Sequence, residues 1–167
     1  MFLLDTNVFV QAKNRYYAFD ICPGFWEWLD HIVDIGGVGS VILVRDELLN
    51  YQDELAEWIK ARQDQHWFLS VEDTETQSNF SAVAQFVNDG DYKSAAKADF
   101  LNGADPWLIS KAMTIAGVVV TEEVYAPEVK RKVPIPNVCE QFNVPYKGTF
   151  SLLRELEATF VAQFKAA

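Results

Sequence analysis

The chain has 167 residues, half of them apolar or aromatic, and a formal net charge of -10. That length and make-up suit one domain with one core, spanning residues 1–167, and exclude global disorder. The acidic balance excludes a protein that grips nucleic acid through an extensive basic surface, because phosphate contacts come mainly from Lys and Arg. No run of about 18 apolar residues offers a membrane span, and the distant pair Cys22 and Cys139 fits neither a zinc spacing nor a disulfide framework.

In chain order, Phe2 to Leu4 reads as a short buried strand, so close to the first residue that no signal peptide is expected and a cytoplasmic protein is. Helices follow over Asn7 to Tyr16 and Phe25 to Ile35, the second ended by Gly36 and Gly37. "GSVIL" at Gly39 to Leu43 is a strand or the lead-in to a helix over Val44 to Gln63. In that helix Val44, Leu48, Tyr51, Leu55 and Trp58 recur at steps of three and four and define a buried stripe. Helices are expected over Glu75 to Val87, Tyr92 to Phe100, Pro106 to Ala116, Pro136 to Phe142 and Phe150 to Lys165, with strands at Gly117 to Thr121 and Asn143 to Tyr146. Short apolar runs alternating with helices predict a three-layer α/β fold, a small and mostly parallel sheet flanked by helices.

Four acidic positions stand out against this pattern. Asp5 follows the first strand directly, and Glu122 and Glu123 follow the apolar run "GVVVT". Glu47 lies on the stripe of the long helix, whereas Asp46 and Asp53 lie off it. Asp105 precedes Pro106, as an ordinary N-cap would, yet falls three and four residues before the inward-facing Leu108 and Ile109. Each acid alone has an ordinary structural explanation. In an open parallel sheet, however, groups at the carboxyl ends of neighbouring strands converge on one crevice. Asp5, Glu47, Asp105 and one of Glu122 or Glu123 would then form an oxygen-rich pocket without His or Cys, a donor set suited to Mg²⁺ or Mn²⁺.

In this order the residues resemble the PIN-domain nucleases, including the VapC-type ribonuclease toxins of bacterial toxin-antitoxin systems. The resemblance rests on Asp5-Thr6-Asn7 after the first strand, Glu47 in "VILVRDEL", Asp105 in "GADPWLISKAM", and Thr121 with Glu123 in "VVVTEE". It spans residues 2–123 by motif. Glu123 stands where Asp is more usual, and the segment between Glu47 and Asp105 is longer than in compact members. The resemblance implies a hydrolase, a metal-dependent endoribonuclease that cleaves RNA phosphodiester bonds and is the toxin of a type II pair. On this basis Asp5 and Asp105 are the main metal ligands, Glu47 and Glu123 complete the shell, and Asn7 and Thr121 orient carboxylates or water.

Secondary features are weaker. Lys130, Arg131 and Lys132 follow Glu123 and either receive substrate phosphates or sit on a solvated loop. The stretch "YYAFDICPGFWEWL" is mostly core by its spacing, its excess aromatics suiting a homodimer or an antitoxin helix. Asp99 reads as a surface helix acid, the alternative being an extra acid at the pocket entrance, and His31 and His66 read as surface or satisfied histidines. Haloacid-dehalogenase-like phosphatases also begin with a strand-terminal Asp but need a second Asp two residues later, where this chain has Asn7. The remaining alternative is a degenerate PIN fold that binds a partner or RNA without cutting.

Overall fold

The computed structural model describes residues 1–63 and 66–161. Strands β1 (Phe2–Leu4), β2 (Val38–Val41), β3 (Phe68–Leu69), β4 (Val118–Val120) and β5 (Tyr146–Lys147) form one sheet in the order β3-β2-β1-β4-β5. Every pairing is parallel. Nine α-helices among the described residues flank it: α1 (Thr6–Gln11), α2 (Pro23–Asp34), α3 (Ile42–Leu49), α4 (Glu54–Lys60), α5 (Thr74–Asp89), α6 (Ser94–Asn102), α7 (Asp105–Ile115), α8 (Ile135–Phe142) and α9 (Thr149–Glu155). This is the expected three-layer α/β fold. None of these helices is long and apolar enough to cross a membrane.

The central strands are continuous apolar runs because helices cover the sheet: Leu3, Leu4, Val119 and Val120 are all buried. From β1 the chain builds outward through β2 to β3, then returns to lay β4 on the other side of β1 and β5 beyond it. The winding therefore reverses between β1 and β4, where a parallel sheet opens a crevice at its carboxyl ends. Register sets what enters that crevice. Leu4 pairs with Val120, and the next amide, Asp5 N–H, donates to the Val120 carbonyl at 2.9 Å. Asp5 and Thr121 thus leave the sheet side by side.

The expected helix over Val44 to Gln63 is in fact two. Helix α3 ends at Leu49, and α4 starts afresh because the Asp53 Oδ1 accepts the amides of Leu55 (3.0 Å) and Ala56 (3.1 Å). Tyr51 lies in the break and is 43% exposed, so it leaves the stripe that Val44, Leu48 and Leu55 do form. Helix α1 widens into a π-helical stretch over Ala12–Tyr16. The two-residue β3 has no counterpart in the sequence expectation, and the strand expected over Asn143 to Tyr146 begins only at Tyr146, after Asn143 (φ 53°) closes α8. The final helix stops at Glu155, before Glu157 (φ 52°); residues 162–165 of its expected span lie outside the described residues.

Gly36 does end α2 at φ 73°. Most of the aromatic-rich stretch is core, as expected. Tyr17 stacks on Phe25 with ring centroids 4.3 Å apart, Phe19 on Trp26 at 4.1 Å, and Trp26 Nε1 donates to the Tyr17 carbonyl at 2.7 Å. Tyr16 and Ile21 remain exposed.

Candidate active site

The centre is built around Asp5. Its carboxylate leaves β1 at the switch point, is almost wholly buried, and accepts the Thr121 hydroxyl through Oδ2 at 2.9 Å. The same Thr121 oxygen accepts the Glu123 amide at 3.1 Å, so one hydroxyl couples the exits of β1 and β4. Burial pushes the Asp5 carboxyl up to about 6; Thr121 opposes the shift, the Glu123 charge adds to it, and the adjoining Asn7 amide groups favour the ionised form. Asn7 itself is exposed at the start of α1.

Glu47 projects from α3 and is held at both oxygens. Oε2 accepts the Thr6 hydroxyl at 2.5 Å and Oε1 accepts the Ala104 amide at 2.8 Å, tying α3 to the starts of α1 and α7. Thr6 carries no role in the sequence reading beyond its place in a motif. Its partner is 41 residues away, which no local pattern reveals.

Asp105 is the first residue of α7, with Ala104 as the N-cap and Pro106 next. Asp105 therefore stands in the first turn rather than at the cap, and α7 has no side-chain cap hydrogen bond. Burial raises the Asp105 carboxyl to about 8, and the charges of Asp5, Glu123 and Glu47 push the same way. Asp105 is thus the acid on which the other three act, and Glu123 acts on Asp5 as well.

The rival glutamates face different ways. Glu122 accepts both the amide (3.0 Å) and the hydroxyl of Thr149 through Oε1, which ties it to the start of α9. Glu123 accepts the Ile135 amide through Oε2 at 2.8 Å, and its Oε1 forms an ion pair with Lys132. Glu123 alone of the two bears on Asp5 and Asp105. The Lys132 ammonium is opposed by burial, but its acidic neighbours, Glu123 foremost, carry its pKa upward. Of the flanking bases, Lys130 is paired with Asp91. Asp99 is exposed, as are His31 and His66.

Among the described residues no group of three or more His, Cys, Asp or Glu side chains is set as a ready metal cage. The expected four-carboxylate shell is not preassembled: Glu47 and Glu123 spend their oxygens on protein donors. Asp5 is held by the Thr121 hydroxyl and the Asn7 amide groups, whereas Asp105 is acted on by burial and by neighbouring charges. Two carboxylates with water completing the shell is a usual way for a protein to hold Mg²⁺, and a cation would relieve the repulsion that Asp105 experiences. Asp5 and Asp105 are the carboxylates that could hold a hard divalent ion, since Glu47 and Glu123 are engaged by protein donors. Two openings of about 340 Å³ touch these acids, one lined by Thr6, Glu47, Asn50 and Tyr51 and the other by Asp105 and the Arg131–Lys132 segment.

Fold and site together define a parallel α/β protein with an acidic crevice at its topological switch point. Residues 2–160 match the family model described as Domain of unknown function (DUF4411), and the chain belongs to that family. Neither a curated protein nor a solved structure matches it.

Proposed function

We propose that the chain is a metal-dependent endoribonuclease that hydrolyses RNA phosphodiester bonds. The observation that carries this reading is the pair formed by the buried Asp5 and the half-buried Asp105, the pKa of the second raised by desolvation and by the charges of three acidic neighbours, Asp5 among them. Such a pair is costly to fold unless its charge is neutralised, by protons or by a cation, and a bound cation also gives it a chemical use. When bound, a divalent ion at Asp5 and Asp105 supplies charge neutralisation at the attacked phosphate and acidifies a water. Thr121, with the Asn7 amide groups, fixes the Asp5 carboxylate at the exit of β1. Thr6 and the Ala104 amide fix Glu47, leaving its charge directed at Asp105. Glu123, held by the Ile135 amide, keeps the crevice negative on the β4 side.

The resemblance to VapC-type toxins extends the reading to the toxin of a type II toxin-antitoxin pair, acting in the cytoplasm, homodimeric or held by an antitoxin protein. The choice of RNA over DNA rests on the same resemblance. A second reading, a PIN-like module that binds without cutting, is favoured by one observation: Lys132 already compensates Glu123.

Incubating single-stranded RNA with the protein in Mn²⁺, Mg²⁺ or EDTA separates the two. The nuclease reading expects cleavage that needs the divalent ion and falls by at least about a thousandfold in Asp5→Asn and Asp105→Asn, each still folded. RNA left intact by a folded wild-type chain with either metal would favour the binding module.

A further inference from the structure

The opening beside Asp105 has a basic wall that the catalytic acids do not explain. Arg131 and Lys132 line it, and Asp105 forms its inner edge. Its apolar lining is made of buried Ala96, Phe100 and Val133. The backbone that carries the two cations is irregular but pinned, downstream by the Ile135 amide on Glu123 at 2.8 Å and upstream at two points. The Lys93 amide donates to the Lys130 carbonyl at 2.9 Å, while the half-turn before it is clamped by Asn137, whose amide group both accepts from Ala126 N–H and donates to the Ala126 carbonyl at 2.9 Å. Arg131 and Lys132 are therefore presented at a set position.

Their partners differ in a telling way. Lys130 is committed to Asp91 and Lys132 to Glu123, whereas Arg131, exposed at the mouth, makes no ion pair among the described residues. In a chain with 24 acids against 14 bases, a guanidinium without a carboxylate at the rim of an acidic centre is positioned for an anion supplied from outside. Asp99 on the wall disfavours a second phosphate. A volume of about 340 Å³ is at the small end of ligand pockets, enough for one nucleotide unit.

We propose that this cavity is the subsite for the nucleotide next to the scissile bond of a single-stranded nucleic acid, with Arg131 and Lys132 holding its phosphate. Lys132 exchanges its Glu123 partner for that phosphate as the strand enters. The proposal rests on the nucleic-acid reading of the crevice, and it makes Arg131 and Lys132 positioning residues that act on substrate placement rather than on proton transfer.

The test uses fluorescence anisotropy of a short labelled single-stranded RNA on the full chain carrying Asp5→Asn, with Mg²⁺ present, so that binding is read without cutting. Into that background go Arg131→Ala, Lys132→Met and Arg131→Lys. Arg131 is exposed and unpaired, so its variants also guard against a folding defect, checked by thermal unfolding. The expected result is several-fold weaker binding for Arg131→Ala and Lys132→Met, a salt slope smaller by about 0.7 for each cation lost, and retention of most affinity in Arg131→Lys. Unchanged affinity and slope in both cation-removing variants would overturn the subsite, as would no binding by the parent Asp5→Asn chain. Cleavage by the wild-type chain, scored in parallel, keeps the two ideas apart. Cation-dependent binding without cleavage supports the subsite while the nuclease reading fails; cleavage with binding indifferent to Arg131 and Lys132 does the reverse.

Discussion

Asp105 concentrates the chemistry of the crevice, and its proton gives the sharpest handle on it. Burial and three acidic neighbours lift its pKa from the ordinary 3.8 to about 8, and burial lifts Asp5 to about 6. Both values lie above the unfolded ones, so protonation favours folding: this contribution is fully present below the ordinary carboxylate pKa of 3.8 and is lost as pH rises through about 6 and about 8. In EDTA the unfolding temperature should therefore fall as pH rises through that window. Asp105→Asn removes the upper part of the decline and leaves the chain more stable than wild type near pH 8. A wild-type profile that is flat there, or no gain in the variant, would refute the burial and repulsion inferred for this acid.

Thr6→Val tests the support of Glu47 at the same scale. Removing the hydroxyl leaves Glu47 Oε2 without its 2.5 Å donor while keeping the side-chain shape. Loss of such a support costs roughly 10- to 100-fold in metal affinity or activity, so cleavage should drop by that factor with little change in unfolding. Wild-type cleavage in the variant would reduce Thr6 to a packing residue. The four acids are legible from sequence because each interrupts an apolar pattern. Their supports are not, because Thr6 and Thr121 act on partners far along the chain. Nor does sequence separate Glu122 from Glu123; the contacts of Thr149 and Lys132 do.

Among the elements, the break between α3 and α4 shows where periodicity misleads. Tyr51 continues the apolar spacing, and the run therefore reads as one helix. Asp53, followed by Glu54 and Glu57 in the first turn of α4, is the signal that a new helix starts, outweighing one aromatic in register. The break brings Asp53 to Lys13 of the π-helical stretch, Nζ to Oδ2 at 2.6 Å. This ion pair holds the Asp53 carboxyl below the usual range together with the capping amides. Asp53→Ala should cost about 0.5–2 kcal/mol in urea unfolding, mostly from the lost cap, since a half-exposed ion pair adds little. No measurable loss would mean that α4 is set by packing alone. Strand β3 escapes the sequence for a simpler reason: two residues, Phe68 and Leu69, are too few to show any period.

For the whole molecule the sequence is more generous. Apolar runs at Phe2–Leu4 and Val118–Val120, each followed by acids, imply both the parallel sheet and the crevice, because burial on two faces forbids polar residues until the strand ends. What they cannot give is strand order, on which the meeting of Asp5 with Thr121 and Glu123 depends. That order makes an acidic protein focus negative potential at one switch point, where a divalent ion is the natural counter-charge. On the proposed reading Asp5 and Asp105 hold such an ion. Thermal unfolding near pH 8, in EDTA and with Mn²⁺ or Mg²⁺, on wild type, Asp5→Asn and Asp105→Asn, is the decisive measurement. At about one hundred times the dissociation constant, the ion should stabilise the wild-type chain by about 2.7 kcal/mol and either variant far less. A folded wild-type chain whose unfolding ignores both metals, or a shift that survives in both variants, would contradict the account.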